Sequence, residues 1–186
     1  MEPRPYHHGD LRAALIHEGL RLLEEKRGED PSLREVARRA GVSATAVYRH
    51  FPDKQALMAA LAQQGLQQLA TAQKAAVDSV GGGDEGFAAT GRAYVRFALA
   101  HPALFRLIFT SPVLAAVRED GVLDSDAGAL LYTNAAAFAA RAGGEAHTRA
   151  IRAWSLVHGL AMLMLDGQIT ADEALIDQLI RVQKQA

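Results

Sequence analysis

SLREVARRAGVSATAVYRHFPDKQAL, residues Ser32 to Leu57, is the stretch whose reading decides the fold. It predicts two short helices joined by a tight turn, then the start of a third. Ser32 and Glu35 stand three apart, the spacing at which a serine and a glutamate cap a helix start reciprocally. Val36, Ala37 and Ala40 give that helix an inward face, and Gly41 stops it. Ser43 caps the next helix, and Pro52 suits the first turn of another. Helix, short glycine turn, helix is the layout whose second helix enters the DNA major groove.

Periodicity sorts the side chains of that second helix. Val47 and Phe51 are apolar and four apart, so they face inward. At about 100° per residue Ala44 falls on their side, Thr45 and Arg49 point the opposite way, and Ala46 and Tyr48 flank them. An arginine pairs bidentately with guanine, and a threonine methyl meets a thymine methyl. A plain solvated face would explain Arg49 alone, but it explains an exposed tyrosine beside it poorly.

The stretch from Ala40 to Leu57 resembles the DNA-binding signature of the tetracycline-repressor (TetR) family of bacterial regulators. Gly41, Val42, Ser43, Val47, Tyr48, His50, Phe51, Lys54 and Leu57 match that signature in register. Thr45 stands where many members carry glycine or another small residue. The resemblance implies that Ser32, Tyr48, His50 and Lys54, with Arg34, hold phosphates. It implies that Thr45 and Arg49 read bases, while Ser43, Ala44 and Ala46 belong to the same contact surface and the alanines permit close approach.

Charge and composition bound the rest. The chain has 186 residues and a net charge of −1, so no global basic field points to nucleic acid. Between Arg34 and Lys54, however, five basic residues face two acidic ones, a local excess of +3. Cysteine is absent, which excludes thiolate zinc sites, thiol catalysis and disulfide scaffolds and fits a cytoplasmic chain. No signal peptide and no membrane span are legible. Alanine is abundant and strand-like alternation is missing, so the fold class is all-α: a three-helix head (residues 1–53) and a C-terminal helical bundle (residues 54–186) for ligand binding and dimerisation.

Outside the head the breaks set the elements. Arg4, Tyr6, His7 and His8 form an N-terminal arm able to reach phosphate or the minor groove. A first helix from Asp10 to Lys26 carries Leu11, Leu15, Leu20 and Leu23 inward, with Gly19 allowing close approach; Leu15, Leu23, Val36, Val47 and Phe51 hold the head together. A fourth helix runs from near Pro52 to about Val77, a lever that starts inside the head. Gly81 to Gly86 reads as the clearest linker. Beyond it lie a helix from Phe87 to Ala100, a short apolar one from Ala103 to Phe109, another short one before Asp120, and one from Ala127 to Ala142.

The segment from Glu145 to Asp166 is apolar nearly all round. Ile151, Trp154, His158, Met162 and Leu165 share one face, and Leu156, Leu160 and Leu163 the other. Such a helix is covered on both sides, one within its own chain and one by a partner. With a last helix from Ala171 to about Lys184, two chains would form a four-helix homodimer interface. Trp154, His158 and Gly159, like the segment His101 to Phe109, also resemble the C-terminal domain of one Trp-His-Gly subgroup of the family.

Two heads on a two-fold axis read a palindromic double-stranded DNA operator. Tyr94, Phe97, Phe105, Phe109, Tyr132, Trp154, His158 and Met162 are candidate lining for a pocket, although each singly is an ordinary core residue. The resemblance implies a small apolar effector there that releases the DNA, which makes the protein a ligand-responsive repressor with no cofactor. The rival classes are an enzyme and a helical interaction or small-molecule-binding module without DNA binding. No His-Glu-x-x-His, Glu-x-x-His, phosphate loop or Gly-x-Ser-x-Gly supports the first. In the second, Tyr48 and Arg49 would be dispensable.

Overall fold

The computed structural model describes residues 11–110 and 145–181, and every regular element among them is a helix. α1 (Leu11–Glu25), α2 (Leu33–Ala40) and α3 (Ala44–Tyr48) make the head. α4 (Lys54–Val80) leaves it and is followed by α5 (Gly83–Ala100), α6 (Pro102–Thr110), α7 (Ala146–Leu165) and α8 (Glu173–Leu179). The arm residues Arg4, Tyr6, His7 and His8, the helices expected between 111 and 144, and the end of the last helix lie outside the described residues.

The head forms as its caps dictate. The Ser32 hydroxyl oxygen accepts from the Glu35 amide at 3.3 Å, and Glu35 Oε2 accepts from the Ser32 amide at 2.9 Å. Gly41 closes α2 with φ +69°, its amide turning back to the carbonyls of Ala37 and Arg38. Leu15, Leu23, Val36, Val47 and Phe51 are all fully buried, joined by Ile16 and Leu22, while Leu11 and Leu20 are only half-buried. Arg12 lies over the Phe51 ring, 5.5 Å from its centroid, a cation–π contact that seals the core edge. A Cβ at Gly19 would come within 2.9 Å of Leu61 Cδ2, so α1 and α4 touch as closely as the glycine foretold.

Three boundaries differ from the expected ones. α4 starts at Lys54, not in the Pro52 turn, because Asp53 caps it: its Oδ1 accepts from the Ala56 amide at 2.8 Å. α4 also runs on to Val80, where Gly81 stops it in the left-handed conformation. The glycine run is therefore no linker beyond Gly81 and Gly82. Gly83 to Gly86 open α5, whose first turn holds Asp84 and Glu85, where a helix N-terminus favours acids. α4 and α5 thus form a tight antiparallel hairpin.

α6 lies across that hairpin. A Cβ at Gly65 would meet Leu104 Cδ1 at 2.7 Å and Ile108 Cδ1 at 2.9 Å, so the glycine lets α6 pack directly onto the α4 backbone. α8 is pinned to α5 by charge: Arg96 forks onto Glu173 (2.7 and 2.9 Å), and Arg92, paired with Glu85 of its own helix, also donates to the Ile180 carbonyl at 3.4 Å. α7 buries Ala150, Val157, Leu160, Ala161 and Met164. The sequence puts Leu160 on one face with Leu156 and Leu163, but of the three only Leu160 is buried. It is buried because its position, about 40° around the helix from Leu156, tips it toward the Val157 and Met164 stripe. No described helix is long and apolar enough to cross a membrane.

Candidate functional site

The reading face of the head is small. α3 spans five residues, and the Ser43 hydroxyl oxygen starts it by accepting from the Ala46 amide at 3.3 Å. Val47 is fully buried and anchors it on the core, which turns Thr45, Tyr48, Arg49 and His50 outward. Ala44 and Ala46 are half-buried, so the surface between the longer side chains is low. Tyr48 is 48 % exposed, a large apolar ring left in water by a head that has core to spare.

Ion pairing divides the head's cations. Arg39 forks onto Glu25, both bonds 2.8 Å, and also reaches Glu18. These bonds raise the guanidinium's pKa and lower that of Glu25. Lys54 pairs with Asp30 at 2.8 Å. Arg34, Arg38 and Arg49 are exposed and stand outside the ion pairs among the described residues. Of the five basic residues counted along this stretch, Arg39 and Lys54 are thus held by carboxylates, while Arg34, Arg38 and Arg49 are not. The Ser32 hydroxyl is committed to Glu35 Oε2 at 2.8 Å as well as to its cap, and Lys26 bonds the same carboxylate at 2.9 Å.

The second constellation lies where α5, α6 and α7 meet. The Tyr94 ring stands edge-on to Phe105 at 5.4 Å, and Phe109 packs against Phe105 at 4.8 Å and His158 at 4.7 Å. Trp154 lies 5.9 Å from His158. A polar chain threads these rings. Trp154 Nε1–H donates to the Tyr94 oxygen at 3.2 Å, and the Tyr94 hydroxyl is 2.9 Å from His158 Nδ1. Indole nitrogen only donates, so the phenol oxygen accepts from it; with His158 neutral and its Nδ1 unprotonated, the phenol O–H donates to Nδ1. Burial lowers the His158 pKa and favours the neutral ring that this chain requires; burial also raises the Tyr94 phenol, against a smaller opposing effect of the Trp154 bond.

Of the expected lining, Tyr94, Phe105, Phe109, Trp154 and His158 come together. Met162 sits half-buried one turn beyond His158. Phe97 is buried but turns to His101, 5.0 Å away, and Tyr132 lies outside the described residues. Gln73 escaped the sequence reading: it is 3 % exposed on α4, and nothing separates it from the other glutamines of that helix except its position in the hairpin.

A helix-turn-helix with an exposed reading face, carried on a long helix into an α-helical body, defines a DNA-binding transcriptional regulator. A family model described as "Bacterial regulatory proteins, tetR family" matches residues 15–61, and one described as "Tetracyclin repressor-like, C-terminal domain" matches residues 87–183. The chain belongs to the tetR family, whose members are regulators rather than enzymes. It is similar to a solved protein of unknown function from Rhodococcus sp. RHA1: 33 % identity, 96 % of this chain and 93 % of that one covered, TM-score 0.73. It is similar in fold to a putative transcriptional regulator from Pseudomonas aeruginosa PAO1, at 24 % identity with 90 % and 85 % covered and a TM-score of 0.67. The flavonoid-responsive regulator FrrA shares 26 % identity over 90 % of each chain, with a TM-score of 0.54. No curated protein matches.

Proposed function

We propose that the chain is a homodimeric repressor that binds a palindromic operator and is released by a small, mainly apolar effector. The head, residues 1–53, reads DNA: Thr45 and Arg49 contact bases across the low surface of Ala44 and Ala46. Ser43, Tyr48, His50, Arg34 and Lys54 hold phosphates, and Ser32 supports them through its cap. The observation that carries this is the outward set Thr45, Tyr48, Arg49 and His50 on a helix whose inward Val47 is fully buried.

The body, residues 54–186, supplies the dimer and the pocket. Leu156, Leu163 and Leu179 are 48, 44 and 42 % exposed on α7 and α8, an apolar surface suited to the same surface of a second chain. The rings around Tyr94 and His158 wall the effector site, and a flavonoid-responsive relative of similar fold supports an aromatic ligand. Trp154, His158 and Gly159 support assignment to the Trp-His-Gly subgroup. An effector that binds better to one head spacing than another shifts the dimer away from the operator.

Selection of bound duplexes from a random pool tests this reading. An enriched two-fold sequence, its half-sites about one helical turn apart or a multiple, is the expected result. Enrichment of a single asymmetric half-site would remove the dimeric repressor.

A further inference from the structure

Gln73 is buried to 3 % exposure, and its side-chain oxygen finds no hydrogen-bond partner among the described residues. A buried amide oxygen gives up water without compensation there, which native interiors rarely tolerate without a reason. The other glutamines of α4 do not share the predicament: Gln55, Gln63 and Gln67 are exposed, and Gln64 and Gln68 half-buried.

The hairpin locates it. A Cβ at Gly86 would lie 3.4 Å from Val77 Cγ1, which puts these two residues at one level of the antiparallel pair α4 and α5. One turn further from the hairpin tip, Gln73 stands level with Thr90, whose hydroxyl donates to the Gly86 carbonyl at 2.9 Å. Another turn brings Leu69 level with Tyr94, the residue around which Phe105, Phe109 and His158 gather. An unsatisfied acceptor thus stands one turn from an aromatic wall, on the helix that carries the head.

We infer that Gln73 is the polar contact of the effector site, and that the effector carries a hydroxyl or N–H donor on an aromatic body. The inference rests on the effector pocket proposed above. The donor supplies the bond the glutamine oxygen lacks, while the rings of Tyr94, Phe105 and Phe109 take the apolar part. Ligand discrimination then comes from a paired against an orphaned acceptor, which separates analogues more sharply than one methyl group does.

Two matched pairs of probes test it on the full chain: phenol against toluene, and 2-naphthol against 2-methylnaphthalene. Thermal unfolding followed by circular dichroism reads binding as a rise in midpoint. The hydroxylated member of a pair should bind roughly tenfold more tightly, the worth of one hydrogen bond. Gln73→Leu should bring the members of each pair to parity, and Gln73→Met gives the same readout if the leucine variant folds poorly. Equal binding of both members by the native chain, or a preference that survives in the variants, overturns the inference and leaves the pocket standing. No midpoint rise with any of the four overturns pocket and inference together.

Discussion

Glu24 of α1 accepts a hydrogen bond from the backbone amide of Leu104 in α6, Oε1 to N 3.1 Å. Leu104 is the third residue of α6, and the first intrahelical bond there belongs to the Phe105 amide, which reaches the His101 carbonyl at 2.8 Å. The Leu104 amide is one of the orphan donors of a helix start. A side chain of the DNA-reading head therefore caps a helix of the body. That same helix presents Phe105 and Phe109 to the aromatic cluster, so the cluster is joined to α1 through one hydrogen bond as well as to α4 through packing.

Glu24→Ala should lower stability by about 1 kcal/mol, the usual cost of a lost helix cap, measured by urea unfolding. Glu24→Gln keeps an acceptor but loses the charge that favours a helix N-terminus, and should fall between the two. An alanine variant as stable as the native chain would show that the bond contributes nothing.

Gly65 decides how closely α6 approaches α4. Gly65→Ala gains about 1 kcal/mol in helix propensity but sets its methyl against Leu104 Cδ1, Ile108 Cδ1 and the Ile108 Cγ1 methylene, so the gain is offset and its net effect should be small. Gly65→Val adds bulk that the buried Leu104 and Ile108 cannot evade and should cost roughly 1–3 kcal/mol. Midpoints of thermal unfolding separate the two, and equal losses would contradict the packing account.

Acid should weaken the head through Glu35. Its carboxylate is held at a pKa of about 2 by the Lys26 hydrogen bond first and the two Ser32 bonds next, against an ordinary value of 4.5. The depressed value means that this contribution is fully present above about pH 4.5 and is lost as pH falls toward about 2. Glu35→Gln should flatten the acid limb of stability measured by urea unfolding across that window. An unchanged acid limb would assign the loss to other carboxylates.

Much of the head was legible because its signals are local. Ser32, Glu35 and Gly41 cap and stop α2 within one short stretch, and Val47 with Phe51 fixes which way Thr45 and Arg49 face. The body was less legible where local signals compete. Pro52 looked like a helix start, but the side chain of Asp53 took that role. The glycine run looked like a linker, yet its first two residues suffice to turn the chain, and the acids behind Gly83 begin a helix. Gln73 could not be read at all, since a glutamine in a glutamine-rich helix looks solvated until α5 folds back over it. Phe97 shares a helix with Tyr94, but packing alone determined that it turns to His101.

Leu156→Glu with Leu163→Glu should leave the fold intact, since both side chains are already nearly half exposed, and should yield a species of one chain mass by sedimentation where the native protein gives two. A native monomer would undo the two-head geometry.

The most direct test of the reading face is the binding of Tyr48→Ala, Arg49→Ala to the selected duplex and to a scrambled one at fixed salt. The native dimer should prefer the selected duplex strongly. Loss of Arg49 alone should cost roughly 1–3 kcal/mol of that preference, and the double variant should bind both duplexes alike with its fold unchanged. A double variant that still discriminates as the native chain does would place DNA recognition elsewhere on the molecule.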